Sequence, residues 1–259
     1  MAPPSSSNVL AADDPPPITL HNLAALSRFL LIGDHSGCAI PIGLGELGLP
    51  EAERRRHIGW DIGVMGLGLR LSALLDAAFV AQTYSRLVID CNRDPDLPEA
   101  VPEVSDGTFV PANAGLSDAA RAARAASIHA PYHAEIAGLL DARAARNEQT
   151  ILIALHSFTP VFAGIARPWH VGVLHDGGDA RFSLAMLDQL RRAGDLVVGD
   201  NEPYRMDATD YSVPRHCFPR GLPYLELEVR QDLIATEAAQ VEWAERLAPL
   251  LVAAAAEIR

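Results

Sequence analysis

Unbroken apolar runs and one strictly alternating stretch mark out the elements of this chain. Ile151 to Leu155 is continuously apolar and stops at His156-Ser157. Such a run, rich in β-branched residues, predicts a strand buried on both faces. Phe29 to Ile32 has the same form and leads into Gly33-Asp34-His35-Ser36-Gly37. In open α/β sheets helices cover both faces, so ligands collect at the strand ends. Two strands ending in His-Ser therefore predict two imidazoles converging on one site.

The remaining pattern fills in a layered fold. Arg86 to Asp90 (RLVID) predicts a third short strand, and His170–Leu174 and Leu196–Gly199 two more. Tyr224–Arg230 alternates, with Leu225, Leu227 and Val229 on one face and Tyr224, Glu226, Glu228 and Arg230 on the other. Helices are expected over Ile18–Arg28, from Glu51 to His57, and over Asp61–Ala78, where Ile62, Met65, Leu69 and Leu74 recur at helical spacing. Ser117 is a good cap for a further helix, which Pro131 either kinks or restarts. The last helices are expected over Arg181–Arg192 and about Ala235–Ile258. Pro95–Leu116 shows no clear period, and a loop this long in a compact domain is usually functional or mobile; Asn201–Pro223 is irregular and rich in proline. Residues 1–17, rich in Pro, Ser and Asp, predict a mobile tail, which leaves 18–259 as one domain. Strands alternating with helices indicate an α/β architecture.

Composition narrows the function classes. The 259 residues carry a net charge of −12, so no general basic field exists for a nucleic acid. Cys38, Cys91 and Cys217 are odd in number and lack CxxC spacing, which argues against a disulfide framework and for a reducing compartment. No apolar stretch approaches the roughly 20 residues that span a bilayer. The first residues have neither the basic region nor the apolar core of a secretory signal. A cytoplasmic protein without membrane or nucleic-acid partners is the expectation.

His35 and His156 are the first candidates for chemistry. Imidazole is the commonest zinc ligand, and a catalytic zinc keeps three protein ligands and one open position. The alternative is that each histidine caps its strand through backbone bonds. Asp34, Glu46, Asp61 and Asp90 are available carboxylates, and spacing does not choose among them: no HxxE or HExxH is present, and Cys38 stands three residues after His35. Asp90-Cys91-Asn92-Arg93 offers a guanidinium fork and an amide that suit an anionic substrate, with Arg86 a second positive group. The same residues could form a salt bridge that organises the loop. Glu228 is placed to act as general base towards a metal-activated water, or else belongs to a solvated face with Glu226 and Arg230. Ser36 and Ser157 lack a G-x-S-x-G elbow, and each is adjacent to its own histidine, which points the two side chains apart. With neither G-x-G-x-x-G nor a P-loop present, a nucleotide enzyme is disfavoured.

With these residues in view, the chain resembles the N-formylglutamate amidohydrolase family. The matching stretches are DHSGCAIP (34–41), HIGWDIG (57–63), YSRLVIDCNRDP (84–95), LHSFTP (155–160), RPWHVGVL (167–174), DNEPY (200–204) and LELEVRQDL (225–233). The resemblance implies a three-layer αβα sandwich with a central mixed sheet, like that of zinc carboxypeptidases and aspartoacylase. It also implies Zn2+, or another divalent metal, on His35 and His156, with Glu228 as general base or acid. Asn92 and Arg93 become the clamp for a substrate carboxylate, and Arg86 a stabiliser of the oxyanion. Carboxypeptidases take their acidic ligand three residues after the first histidine, where this chain has Cys38. Asp61 is assigned as third ligand because HIGWDIG matches a family block and its Asp begins a helix; Glu46 is the reserve. The implied reaction is hydrolysis of a small anionic N-acyl amino acid, with N-formyl-L-glutamate giving formate and L-glutamate as first choice. The alternatives are another N-acyl amino acid or small peptide on the same metal, or a carboxylate- or metal-binding protein without chemistry.

Overall fold

The computed structural model describes residues 8–258. Its strands are β1 (Ile18–His21), β2 (Phe29–Gly33), β3 (Ala78–Gln82), β4 (Val104–Ser105), β5 (Thr108–Phe109), β6 (Ile151–Phe158), β7 (Val161–Phe162), β8 (Ile165–Ala166), β9 (Val171–Leu174), β10 (Val198–Asp200) and β11 (Tyr224–Arg230). The helices are α1 (Glu51–Arg54), α2 (Val64–Leu75), α3 (Asp118–Arg124), α4 (Ala130–Ala145), α5 (Arg181–Ala193), α6 (Ser212–Cys217) and α7 (Glu237–Glu257). Seven strands form one mixed sheet in the order β1-β3-β2-β6-β11-β9-β10, while β4-β5 and β7-β8 are small hairpins. The neighbours β3, β2, β6 and β11 are parallel, so their carboxyl ends share one edge. β1 and β9 run antiparallel to β3 and β11, and β10 follows β9.

The two faces of the sheet explain the apolar runs. Ile151, Ile153, Leu155, Leu225, Leu227 and Val229 pack on one side with Leu67 and Leu71 of α2, Met186 of α5 and Leu247 of α7. Leu30, Ile32, Leu152, Ala154 and Tyr224 pack on the other with Tyr132 and Ile136 of α4 and Val213 of α6. Helices on both faces of a mixed sheet make the expected αβα layering. β6 is buried along its whole length and continues past Leu155 through His156 and Ser157 to Phe158, paired throughout by β11.

Four expectations are corrected. Ile18–Arg28 is not a helix: Ile18–His21 is an edge strand on β3, and Leu23 and Leu26 beyond it are exposed. The third parallel strand is AFVAQ (78–82), not RLVID. α2 stops at Leu75 because Asp76 takes a left-handed conformation (φ 47°), and the next residues turn back into the sheet. Leu87, Val88 and Ile89 are buried in turns, with Val88 N–H donating to Ser85 O and Asp90 N–H to Ala100 O. Finally, residues 8–17 lie against the body, whereas residues 1–7 fall outside the described residues. Val9 and Leu10 pack on the α4-side core, Val9 N–H donates to Ser127 Oγ, and Thr83 N–H donates to Pro17 O.

Ser117 does cap α3, its Oγ accepting from Ala120 N–H at 3.2 Å. Between α3 and α4 the chain widens into a π turn over Ala125–His129, immediately before Pro131. Proline has no N–H to continue the α ladder, and such turns often mark functional positions.

The turn after β2 is set by close backbone approach. Ser36 Oγ donates to Gly33 O and Gln82 O, Ala39 N–H donates to Thr83 O, and a Cβ on Gly37 would lie 2.1 Å from Thr83 O. Only glycine fits between this turn and the end of β3. Gly37→Ala is therefore expected to cost about 3 kcal/mol in urea unfolding, the range of severe packing defects. An unchanged midpoint would remove this contact from the account of the turn.

Candidate metal centre and active-site pocket

Asp34 and His35 are the first residues beyond β2, at the edge where the parallel strands end. Asp61 reaches the same edge from the turn before α2, held by its N–H donating to His35 O at 2.8 Å. Its Oδ2 lies 3.5 Å from His35 Nδ1 and 3.1 Å from His156 Nδ1, and accepts from Ser157 N–H at 3.1 Å. Each imidazole has another carboxylate behind it: Asp90 Oδ1 at 2.6 Å from His35 Nε2, and Asp34 Oδ2 at 3.4 Å from His156 Nε2. Those carboxylates are fixed in turn. Asp34 Oδ1 accepts from Tyr132 O–H at 2.7 Å, and Asp90 Oδ2 accepts from Arg86 Nε and Nη2 at 3.0 and 2.6 Å.

This arrangement fits a divalent cation. Candidate ligand atoms of His35, Asp61 and His156 lie within 4.8 Å of one another, all three residues buried. The Nδ1 of His35 is buried with no hydrogen-bond partner among the described residues. An Nε2–H held by Asp90 leaves the Nδ1 lone pair facing the site, the usual way a second carboxylate fixes a ligand histidine. Electrostatics agrees. Burial works against charge throughout the centre, yet Asp90 and Asp61 raise the His35 pKa, and Asp34 and Asp61 raise that of His156 well above its ordinary value. Burial likewise opposes ionisation of Asp34, but His156 holds it down at about 2. Asp61 is held lower still, against burial, by His35 and His156. A site that concentrates this much negative charge around two imidazoles can take a divalent cation in exchange for their protons.

The other sequence candidates fall around the same centre, with one exception. Glu46 pairs with Arg54 at 2.7 Å on the surface, so the reserve ligand is excluded by its position. Glu228 stands opposite His156 in the β6–β11 register, and Glu226 opposite Ala154. The face they share is buried, not solvated, and the Oε2 atoms of both are without partners among the described residues. Burial, with Asp61 nearby, pushes Glu228 up to about 7 against the pull of His156 and His35. Burial and then Asp210 push Glu226 well above the ordinary range. Arg86 lines the pocket with Nη1 3.5 Å from Asp61 Oδ1. Asn92 turns its amide inward, Oδ1 accepting from Tyr211 and Ser212 N–H at 2.9 Å each. Arg93 Nη1 donates to Asn92 O and Thr209 O at 2.7 and 3.1 Å.

Together these groups line a cavity of about 440 Å³. Its outer wall is the segment that carries Tyr204, Arg205, Asp207, Thr209 and Asp210, none of which was singled out from the sequence. The only signal was the DNEPY block at its start. A cluster of three histidines behind Asn92 and Arg93 was also missed. His129, placed by the π turn, donates from Nε2 to Arg93 O at 3.0 Å, and His133 donates from Nε2 to Cys91 O at 2.8 Å. His133 Nδ1 is thus an acceptor for His216 Nε2–H at 2.9 Å. Burial drives His133 and His216 down to about 3 and 4, so they are neutral supports for the backbone of the pocket wall.

Comparison with known proteins identifies the family. No match is found among curated proteins. The gene product Atu2144 of Agrobacterium tumefaciens is 34% identical and superposes with a TM-score of 0.93, over 97% of this chain and 99% of that one. The N-formylglutamate amidohydrolase of Ralstonia eutropha JMP134 is 21% identical with a TM-score of 0.66, over 94% of this chain and 98% of that one, a likeness of fold. The family model described as N-formylglutamate amidohydrolase matches residues 27–235, a span that holds the whole centre and its pocket. The chain belongs to the N-formylglutamate amidohydrolase family.

Proposed function

We propose that this chain is a divalent-metal-dependent hydrolase that cleaves the amide bond of a small N-acyl acidic amino acid, N-formyl-L-glutamate first. The observation that carries the reading is the convergence of His35, Asp61 and His156 beside Glu228, in one cavity with Arg86 and Arg93. Family membership supports the choice of reaction and substrate. A cavity of about 440 Å³ suits an amino-acid derivative. Zinc or a similar cation, when held by the three ligands, supplies Lewis acidity that polarises an amide carbonyl and acidifies water.

The chain's own groups do the rest. Glu228, raised to about 7, takes up or releases a proton at its Oε2 near neutral pH, as a group that acts first as base and then as acid must. Arg86 stays cationic because Asp90 and Asp61 outweigh its burial, and its Nη1 faces the centre where negative charge develops on the scissile oxygen. Arg93 offers a planar cation to the substrate's carboxylate, which orients the amide towards the centre. Phe158 and Leu174, on the cavity wall, restrict water around the reacting atoms.

The direct test is metal analysis of the purified protein beside formate or acetate release from N-formyl-L-glutamate, N-formyl-L-aspartate and N-acetyl-L-glutamate. Formate release from the first, lost on chelation and restored by metal, is expected. A fully metallated protein inert on all three compounds sinks the reading. His156→Ala is expected to lose bound metal while keeping its far-ultraviolet circular dichroism; normal metal content in that variant removes His156 from the ligand set.

Glu228 makes a separate, metal-free prediction. Folding raises its pKa from 4.5 to about 7, so the stability it contributes is present in acid and lost as pH rises through the folded value. Glutamine cannot ionise. Metal-stripped Glu228→Gln should therefore melt several degrees above metal-stripped wild type at about pH 8, with the gap shrinking to roughly a quarter of that at about pH 5. Equal melting temperatures at both pH values would show that Glu228 is not held in a desolvated position.

A further inference from the structure

Among the cavity carboxylates with no part in the chemistry described so far, Asp210 is the one beside Arg93. Asp210 lines the same wall, its side chain 9% exposed. Its Oδ1 lies 3.7 Å from Arg93 Nη1 and accepts from Asn92 Nδ2 at 3.4 Å. Its Oδ2 accepts from Asp207 N–H at 3.0 Å, within a turn that Thr209 N–H closes onto Asp207 Oδ1 at 2.7 Å. Thr209 also supplies the backbone carbonyl that Arg93 Nη1 bonds. The Asn92–Arg93 pair thus already holds a carboxylate of this chain.

We propose that Asp210 is a specificity-determining residue: an internal competitor for Arg93 that sets how strongly the pocket prefers acidic over uncharged ligands. The inference rests on the reading of Arg93 as the group that meets a substrate carboxylate. With Asp210 in place beside the guanidinium, an incoming carboxylate must displace the Asp210 side chain or share Arg93 with it. Like charges brought together at a recognition site are the usual repulsive device of specificity. An uncharged ligand meets no such competition. Removing the Asp210 charge therefore tightens acidic ligands and leaves neutral ones alone. Asn keeps both the shape of Asp210 and an oxygen acceptor for Asp207 N–H, so the turn is retained.

The test uses metal-loaded, full-length protein, with glutarate and its uncharged analogue glutaramide as calorimetric probes. Asp210→Asn is expected to bind glutarate about fivefold tighter than wild type, with glutaramide unchanged. The gain should vanish when Arg93→Ala is added. The KM for N-formyl-L-glutamate should fall by a similar factor, more than any change in kcat. Unchanged or weaker glutarate binding in Asp210→Asn overturns the inference, as does a gain that survives Arg93→Ala. Asp210→Ser, which also keeps an oxygen near Asp207, gives the same reading should the Asn variant not fold. If N-formyl-L-glutamate is not turned over at all, glutarate affinity still measures the competition, so failure of the proposed activity and failure of this inference are separate results.

Discussion

Asp61 Oδ2 is the atom on which the site depends. The imidazoles of His35 and His156 and the Ser157 amide all face it, and the Asp61 N–H is itself bonded to the His35 carbonyl. It joins the turn before α2 to the ends of β2 and β6, two strands that are neighbours in the sheet. A carboxylate so deeply buried is tolerable only because imidazoles, a backbone donor and a nearby guanidinium surround it. Removing any one of these leaves part of that charge uncompensated at a buried position.

Around that atom the structure repeats one device: charge is buried in alternating sign, and the outermost group is fixed to the fold. Arg86 holds Asp90, Asp90 holds His35, Tyr132 holds Asp34, and Asp34 faces His156. The parallel block β3-β2-β6-β11 makes this geometrically simple, because it brings four strand ends to one edge. β11 contributes differently from β2 and β6. Glu226 and Glu228 project from mid-strand into the cavity floor, covered by the segment that runs from Pro203 into α6.

What could be read from the sequence follows from what burial leaves in a local pattern. β2, β6 and β11 were visible because a strand flanked by apolar layers must be apolar or strictly alternating. AFVAQ was hidden because Ala and Phe continue the spacing of α2 without a break, while RLVID imitated a strand although its apolar residues fill a turn. The alternation of β11 is explicit in the sequence, but no local signal says whether a polar face meets water or another part of the chain. His35 and His156 announced themselves at strand ends. Asp61 was chosen over Glu46 only through the resemblance of HIGWDIG, since as isolated acids they are equivalent. Asp34 and Asp90 were noted as carboxylates, yet their place behind the imidazoles depends on the depth of each turn. Asp210 and His216 lie in an irregular segment and His129 and His133 in a stretch whose pattern says only helix, so folding alone brings them together behind Arg93.

The histidine cluster gives the pocket wall an acid limit of its own. His129 and His133 bond the carbonyls of Arg93 and Cys91 as neutral rings, and His216 completes the chain. The unfolded protein takes up these protons near the ordinary 6.5, but the folded cluster takes them only near 3 and 4 at His133 and His216. Stability thus drains away from the wall as pH falls across that interval. When the rings do charge, His133 and His216 can no longer share a proton, and like charges face each other behind Arg93. Mild acid leaves the wall standing on reserves it is losing, and stronger acid loosens the backbone that carries Arg93.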